Sequence, residues 1–154
     1  PRLLVTGRTS YTLSAFGEHL IGEEVECAVT FAAEAINRTI SDYAVGALFP
    51  ENKGDLGGHL YVIEFAEGIP SPEDQKQLSK LIDKKLCERN EDYEAHRAEG
   101  FGLKPPEILP VAEGTFAAWM KSRGKLGGQN KVPRIVSNQE LFSNLRDFSD
   151  RKTS

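Results

Sequence analysis

Residues 41–66 read SDYAVGALFPENKGDLGGHLYVIEFA. Tyr43, Val45, Ala47 and Phe49 fall at alternate positions in the first half. In the last third, Tyr61, Ile63 and Phe65 alternate against Leu60 and Val62. PENKGDLGG, rich in turn residues, lies between them. Two alternating runs joined by a glycine-rich turn predict a β-hairpin. Glu64 and Glu67, where the second strand ends, are read as solvated carboxylates.

On either side of the hairpin the apolar period changes to that of a helix. In residues 23–37, EEVECAVTFAAEAIN, Val25, Ala28, Val29, Ala32, Ala33 and Ile36 share one face. In residues 71–90, SPEDQKQLSKLIDKKLCERN, Ser71 suits the N-cap and Pro72 the first helical position. Glu73 and Asp74 favour the positive end of the dipole. Leu78, Leu81, Ile82 and Leu86 form the apolar stripe, and EDYEAHRAEG continues or caps this helix. Residues 2–16 read as two short strands around a polar turn, closed by Gly17. A last short strand is centred on Ile108 to Val111. The order over residues 12–111 is strand, helix, strand, strand, helix, strand. That order predicts an α+β fold: a split βαβ (ferredoxin-like) core, its sheet mixed or antiparallel, with its helices on one face.

The chain is read as one domain over residues 1–154, with an N-terminal β-hairpin over 1–17 and the split βαβ core over 18–111. A helix–loop–helix appendix follows over 112–150. Its first helix, GTFAAWMKSRGK, offers Phe116, Trp119 and Met120 to a core. Its second, SNQELFSNLRDFS, has a capping box in Ser137 and Glu140 and a stripe of Leu141, Leu145 and Phe148. The tail DRKTS is expected to fray.

Composition narrows the function classes. The 154 residues are 39% hydrophobic and 27% charged, with a net charge of −4, the profile of a soluble globular protein. No apolar run approaches the roughly 20 residues of a membrane helix, so no membrane partner is expected. The chain opens PRLLVTGR, without a leader pattern. It also lacks an initiator Met, which fits a piece of a larger protein. Cys27 and Cys87 read as small core hydrophobes rather than a disulfide framework, which points to the cytoplasm. His19, His59 and His96 have no partners at metal-ligand spacing, so no zinc site is expected. No Ser lies in a nucleophile elbow and no Cys neighbours a His. Glu18, Glu23 and Glu24 are helix-start charges. Lys121, Arg123, Lys125, Lys131 and Arg134 make a local basic patch. Net acidity and the absence of stacking aromatics argue against nucleic acid, since Trp119 and Tyr61 read as core.

The loop GKLGGQNKVPR, residues 124–134, carries the remaining chemistry. It is not a Walker A loop, because Lys131 follows Asn130 and precedes Val132. Gly127 and Gly128 allow backbone N–H groups close to an anion. Gln129 and Asn130 add neutral donors. Lys131 offers a mobile point charge, and Pro133 stiffens the approach to the guanidinium fork of Arg134. Taken alone, these residues favour a surface loop, with an anion site as the alternative. Arg8, in the turn between the first strands, is a surface charge or a hinge ligand.

The longer stretch EGTFAAWMKSRGKLGGQNKVPRIV, residues 113–136, resembles the close of the plant acyl acid amido synthetases, the auxin-responsive promoter family. Gly114, Thr115, Phe116, Arg123, Gly124, Gln129, Lys131, Pro133 and Arg134 stand where that pattern asks. GRTSYTLSAFGEHLIGEEVECAV is similar to the hinge and first helix of the same C-terminal domain in bacterial relatives, and to the wider acyl-adenylating superfamily. The resemblance implies a cytoplasmic ligase that uses ATP, with Mg2+ held mainly by a large N-terminal adenylation domain. A small carboxylic acid becomes an acyl-adenylate, which an amino acid amine then converts to an amide and AMP. The small domain swings over the site, and Lys131 is the catalytic position, neutralising charge on the α-phosphate. Gln129, Arg134, Gly127, Gly128 and Arg8 are implied to position the loop or contact nucleotide. The isolated chain is predicted to be inactive. The alternative is a stand-alone ferredoxin-like module that binds a ligand or a partner without catalysis.

Overall fold

The computed structural model describes residues 12–13, 20–49, 57–98, 103–122, 134–136 and 139–153. The order is β1 (Thr12–Leu13), β2 (Leu20–Ile21), α1 (Gly22–Ala35), β3 (Ile40–Leu48), β4 (Gly58–Phe65) and α2 (Pro72–Arg89). It continues with α3 (Glu91–Ala98), β5 (Glu107–Val111), α4 (Thr115–Ser122), β6 (Ile135–Val136) and α5 (Gln139–Thr153).

The hairpin forms as its alternation requires. β3 and β4 are antiparallel, with Val45 opposite Tyr61 and Leu48 opposite Gly58. Tyr43, Val45, Ala47, Tyr61, Ile63 and Phe65 bury against Val25, Ala28, Val29 and Ala32 of α1 and Leu78, Ile82 and Leu86 of α2. α1 and α2 thus share one face, as expected. Ala44, Leu60 and Val62 form a second core with Phe116, Trp119 and Met120 of α4 and Phe142 and Leu145 of α5. The appendix is therefore the second layer of the fold, covering the opposite face. Every residue of β4 is buried, the signature of a strand covered on both sides.

The α+β class holds, while the sheet is mixed and departs from the split βαβ pattern in its outer pairs and in the source of its fourth strand. Its four strands run β5-β4-β3-β6. β5 is parallel to β4, and β6 is parallel to β3. No strand from before α1 enters it among the described residues. β1 and β2 pair with each other, Thr12 opposite Ile21 and Leu13 opposite Leu20. The reason is length: α1 begins at Gly22, directly after the two residues of β2, too short a strand to occupy a central place. The fourth strand comes instead from inside the stretch read as helix–loop–helix.

Local chemistry sets the corners. Ser71 accepts the Asp74 N–H at 3.2 Å, and Pro72 opens α2. The charged segment after α2 is a separate helix. Asn90 breaks the run with extended backbone (φ −140°, ψ 111°), and its Oδ1 accepts the Tyr93 N–H at 2.8 Å to cap α3. Its Nδ2 donates to Glu24 at 2.9 Å, and Glu24 also accepts the Ile21 N–H at the start of α1. Arg97 grips Asp83 through two bonds of 2.6 and 2.9 Å, and Tyr93 Oη donates to the same carboxylate at 2.8 Å. At the other end of the chain α5 runs to Thr153, taking in most of the tail expected to fray. Cys27 and Cys87 are free thiols, partly buried.

One close approach fixes the second layer. A Cβ on Gly46 would lie 2.7 Å from the Phe142 ring, so glycine lets α5 press against β3. Gly46→Ala is expected to cost about 1–3 kcal/mol through overpacking, with Phe142→Leu recovering part of that loss in the double variant. Simple addition of the two losses in urea unfolding contradicts this account.

Tyr93 gives the stability a pH dependence. Burial, then Tyr61 and Asp83, push its phenol well above the ordinary range. The folded chain keeps a proton that the unfolded chain releases above about pH 10. This contribution is complete below that pH and is lost as the pH rises beyond it. Tyr93→Phe is expected to cost about 1 kcal/mol at neutral pH through the lost bond to Asp83. The deficit should shrink above about pH 10; urea titrations showing a constant deficit refute the assignment.

Candidate functional site

The loop that carries Lys131 leaves α4 after Ser122 and rejoins described structure at Arg134. The helix before it and the residue after it are both held. At the start of that helix, Glu64 accepts the Gly114 N–H at 3.0 Å and the Phe116 N–H at 2.9 Å. These are donors that the start of a helix leaves without intrahelical partners. Gly114 has φ +94°, a backbone conformation that favours glycine. Glu64 is only 6% exposed, which corrects its reading as a solvated strand-end charge. It shares a sheet face with Leu60 and Val62, where water is excluded, and the helix start replaces the hydration it loses. Trp119 then fastens α4 to α5 by donating from Nε1 to Asn144 at 2.8 Å.

The second end is tied to the sheet edge. The Arg134 carbonyl accepts the Val45 N–H at 2.8 Å, immediately before β6 pairs with Val45 and Gly46. Arg134 Nη1 donates to Asp42 Oδ1 and, at 3.2 Å, to the Tyr43 carbonyl. Its guanidinium lies 4.5 Å from the Tyr43 ring centre, a cation–π contact. Asp42 Oδ1 also accepts the Tyr43 N–H at 3.0 Å. Arg134 is thereby engaged with β3 through its main chain at Val45 and through its guanidinium at Asp42 and Tyr43. Burial raises the Tyr43 phenol, more than Arg134 lowers it, so the ring beneath the guanidinium stays neutral.

Of the expected site residues, Arg134 is thus placed as an anchor at the end of the loop. Lys131, Gln129, Gly127, Gly128 and Arg8 lie outside the described residues, as does Ser137 of the expected capping box. Asp42, Tyr43 and Glu64, which organise the two ends, were not singled out for this by sequence. Glu64 carried a usable signal, being an acid on a strand whose two faces are both apolar. Asp42 carried none beyond its place at a strand start. His59 is buried and stacks on Tyr93 with ring centres 6.1 Å apart. Among the described residues no group of three His, Cys, Asp or Glu side chains could hold a metal, and no helix is long and apolar enough to cross a membrane.

Comparison with known proteins agrees with this architecture. No curated protein matches the chain. Among solved structures it is similar to GH3.15 acyl acid amido synthetase, with 18% identity and a TM-score of 0.71, over 88% of this chain and 26% of that one. It is also similar to AtGH3.15 acyl acid amido synthetase in complex with 2,4-DB, with 20% identity and a TM-score of 0.71, over 89% of this chain and 25% of that one. At such identity the likeness concerns the fold alone, and the chain spans about a quarter of the length of these structures. Residues 23–140 match the GH3 family C-terminal domain, a span that runs from the start of α1 to the first residues of α5 and takes in the four-stranded sheet and the Lys131 loop. The chain therefore belongs to the GH3 family, and what it contains is that family's C-terminal domain.

Proposed function

We propose that this chain is the mobile C-terminal domain of an ATP-dependent acyl acid amido synthetase-like ligase, acting over the active site of a separate N-terminal adenylation domain in the cytoplasm. The family match across residues 23–140 carries the reading, because it includes the loop whose motif led to it. ATP and a small carboxylic acid are substrates in this reading; an acyl-adenylate forms first, and an amine then takes the acyl group with release of AMP. Mg2+ would be held mainly by the N-terminal domain.

Lys131 is the group assigned to chemistry. Its ammonium would neutralise charge on the α-phosphate as the carboxylate attacks, a transition-state interaction. A lysine suits a group delivered by domain closure, since a compact charge on a flexible stem needs no fixed fork. Gln129, Gly127 and Gly128 belong with it as loop donors near phosphate, and Arg8 as a hinge cation. Arg134 has the different task of positioning, supported by its bonds to Asp42 and Tyr43. The domain alone does not adenylate in this reading, because the nucleotide is presented by the other domain.

Lys131→Ala in the full-length enzyme is expected to lower acid-dependent pyrophosphate exchange by roughly 10²-fold. An unchanged exchange rate overturns the role of Lys131. Arg134→Ala and Asp42→Ala are expected to lower exchange less than Lys131→Ala, and by similar factors, because each frees the same end of the loop. In this chain the two substitutions should couple by about 0.5–1 kcal/mol in urea unfolding, the scale of a partly exposed pair. An Asp42→Ala variant silent in both measurements refutes the anchoring.

A further inference from the structure

Between α1 and the first residues of β3 lies a cleft of about 350 Å3, within the size range of small-molecule sites. Val29 and Ala33 line its helix side and Ile40 its strand side. Glu26, Thr30 and Glu34, at helical i, i+4, i+8 spacing, are its exposed residues on α1. Arg38, Tyr43 and the Arg134–Asp42 pair also border it.

Two polar atoms in this lining are buried without a hydrogen-bond partner among the described residues: Tyr43 Oη and Arg38 Nε. Tyr43 is 5% exposed. Arg38 is held in place by its Nη2 bond to the Gly68 carbonyl and by the Phe65 ring, 5.6 Å away, which leaves Nε over. A buried donor without an acceptor costs about 1–3 kcal/mol, and native proteins rarely keep that cost without a reason. Nε can only donate, and the phenol, kept protonated by burial, can donate as well. What these two atoms lack is an acceptor oxygen.

The charges then select the ligand. Asp42 is committed to Arg134, leaving Glu26 and Glu34 against Arg38. An anion would meet both glutamates, and a cation would meet the Arg38 charge and leave its Nε–H without an acceptor. We propose that the cleft binds a small neutral ligand through a carboxamide group. Its carbonyl oxygen accepts from Tyr43 Oη–H and Arg38 Nε–H, and its NH2 donates to the hydroxyl and carboxylate groups of α1. Its alkyl part rests on Val29, Ala33 and Ile40. The proposal is independent of the adenylation reading, since it uses neither Lys131 nor nucleotide.

The test is an amide-resolved NMR titration of the 154-residue chain with propionamide, and with propionate and propylammonium as charged counterparts of the same shape. Propionamide is expected to give saturable shifts at Val29, Ala33 and residues 40–43, with the two ions requiring roughly tenfold higher concentrations. Tyr43→Phe should weaken propionamide binding roughly fivefold. Thr30→Trp, a surface change at the cleft, should abolish the shifts while leaving Tyr43 intact, and it decides the matter if Tyr43→Phe does not fold. Equal binding of propionate, absence of saturable shifts, or unaltered binding by both variants overturns the proposal.

Discussion

β4 and the middle of β3 have no solvent face, and the rest of the domain follows from that constraint. A strand buried at every position, as β4 is, demands an apolar layer on each side. α1 and α2 supply the first and α4 and α5 the second. The C-terminal segment is for this reason a structural necessity as well as the carrier of a loop. The same constraint accounts for Glu64. An acid on a covered strand needs donors in place of water, and the start of α4 supplies them. Burial of one carboxylate thereby fixes where the helix before the Lys131 loop begins.

The far end of that loop meets a different problem, the exposed edge of a sheet. β6 pairs with only Val45 and Gly46 of the nine-residue β3. Just beyond, the Tyr43 N–H is taken by Asp42 and the Tyr43 carbonyl by Arg134. A charged pair at a strand edge discourages pairing with another chain. Arg134 thus serves both as an edge guard and as the tether of the segment that ends three residues after Lys131. These ties fix the start of the helix before the loop and the residue after it to the sheet.

Elements with a strong local period were legible in the sequence. The hairpin, α1, α2 and its Ser71 cap follow directly from alternation, apolar spacing and capping chemistry. Phe116, Trp119 and Met120 were legible as core, although the face they cover was not. β6 escaped because two residues carry no period, and its partner strand lies some ninety residues earlier. The break at Asn90 escaped because its amide is satisfied partly by Glu24, a contact across 66 positions. Phe142 lay one residue from the expected stripe of α5, and its importance depends on the missing side chain of Gly46. Lys131 is a different case. It lies outside the described residues, and the motif and its family resemblance carry its assignment.

The parallel pairing of β6 also bears on synthesis. The ribosome delivers β3 and β4 long before β6 and α5 emerge, and sequential synthesis lets early elements fold first. Until the last twenty or so residues arrive, Ala44, Leu60 and Val62 lack the cover of Val136, Phe142 and Leu145. The nascent domain therefore passes through a half-covered state with an apolar sheet face and an unguarded edge, a surface suited to chaperone capture. A stop codon placed before β6 would make that transient surface permanent, turning a late folding step into an aggregation hazard.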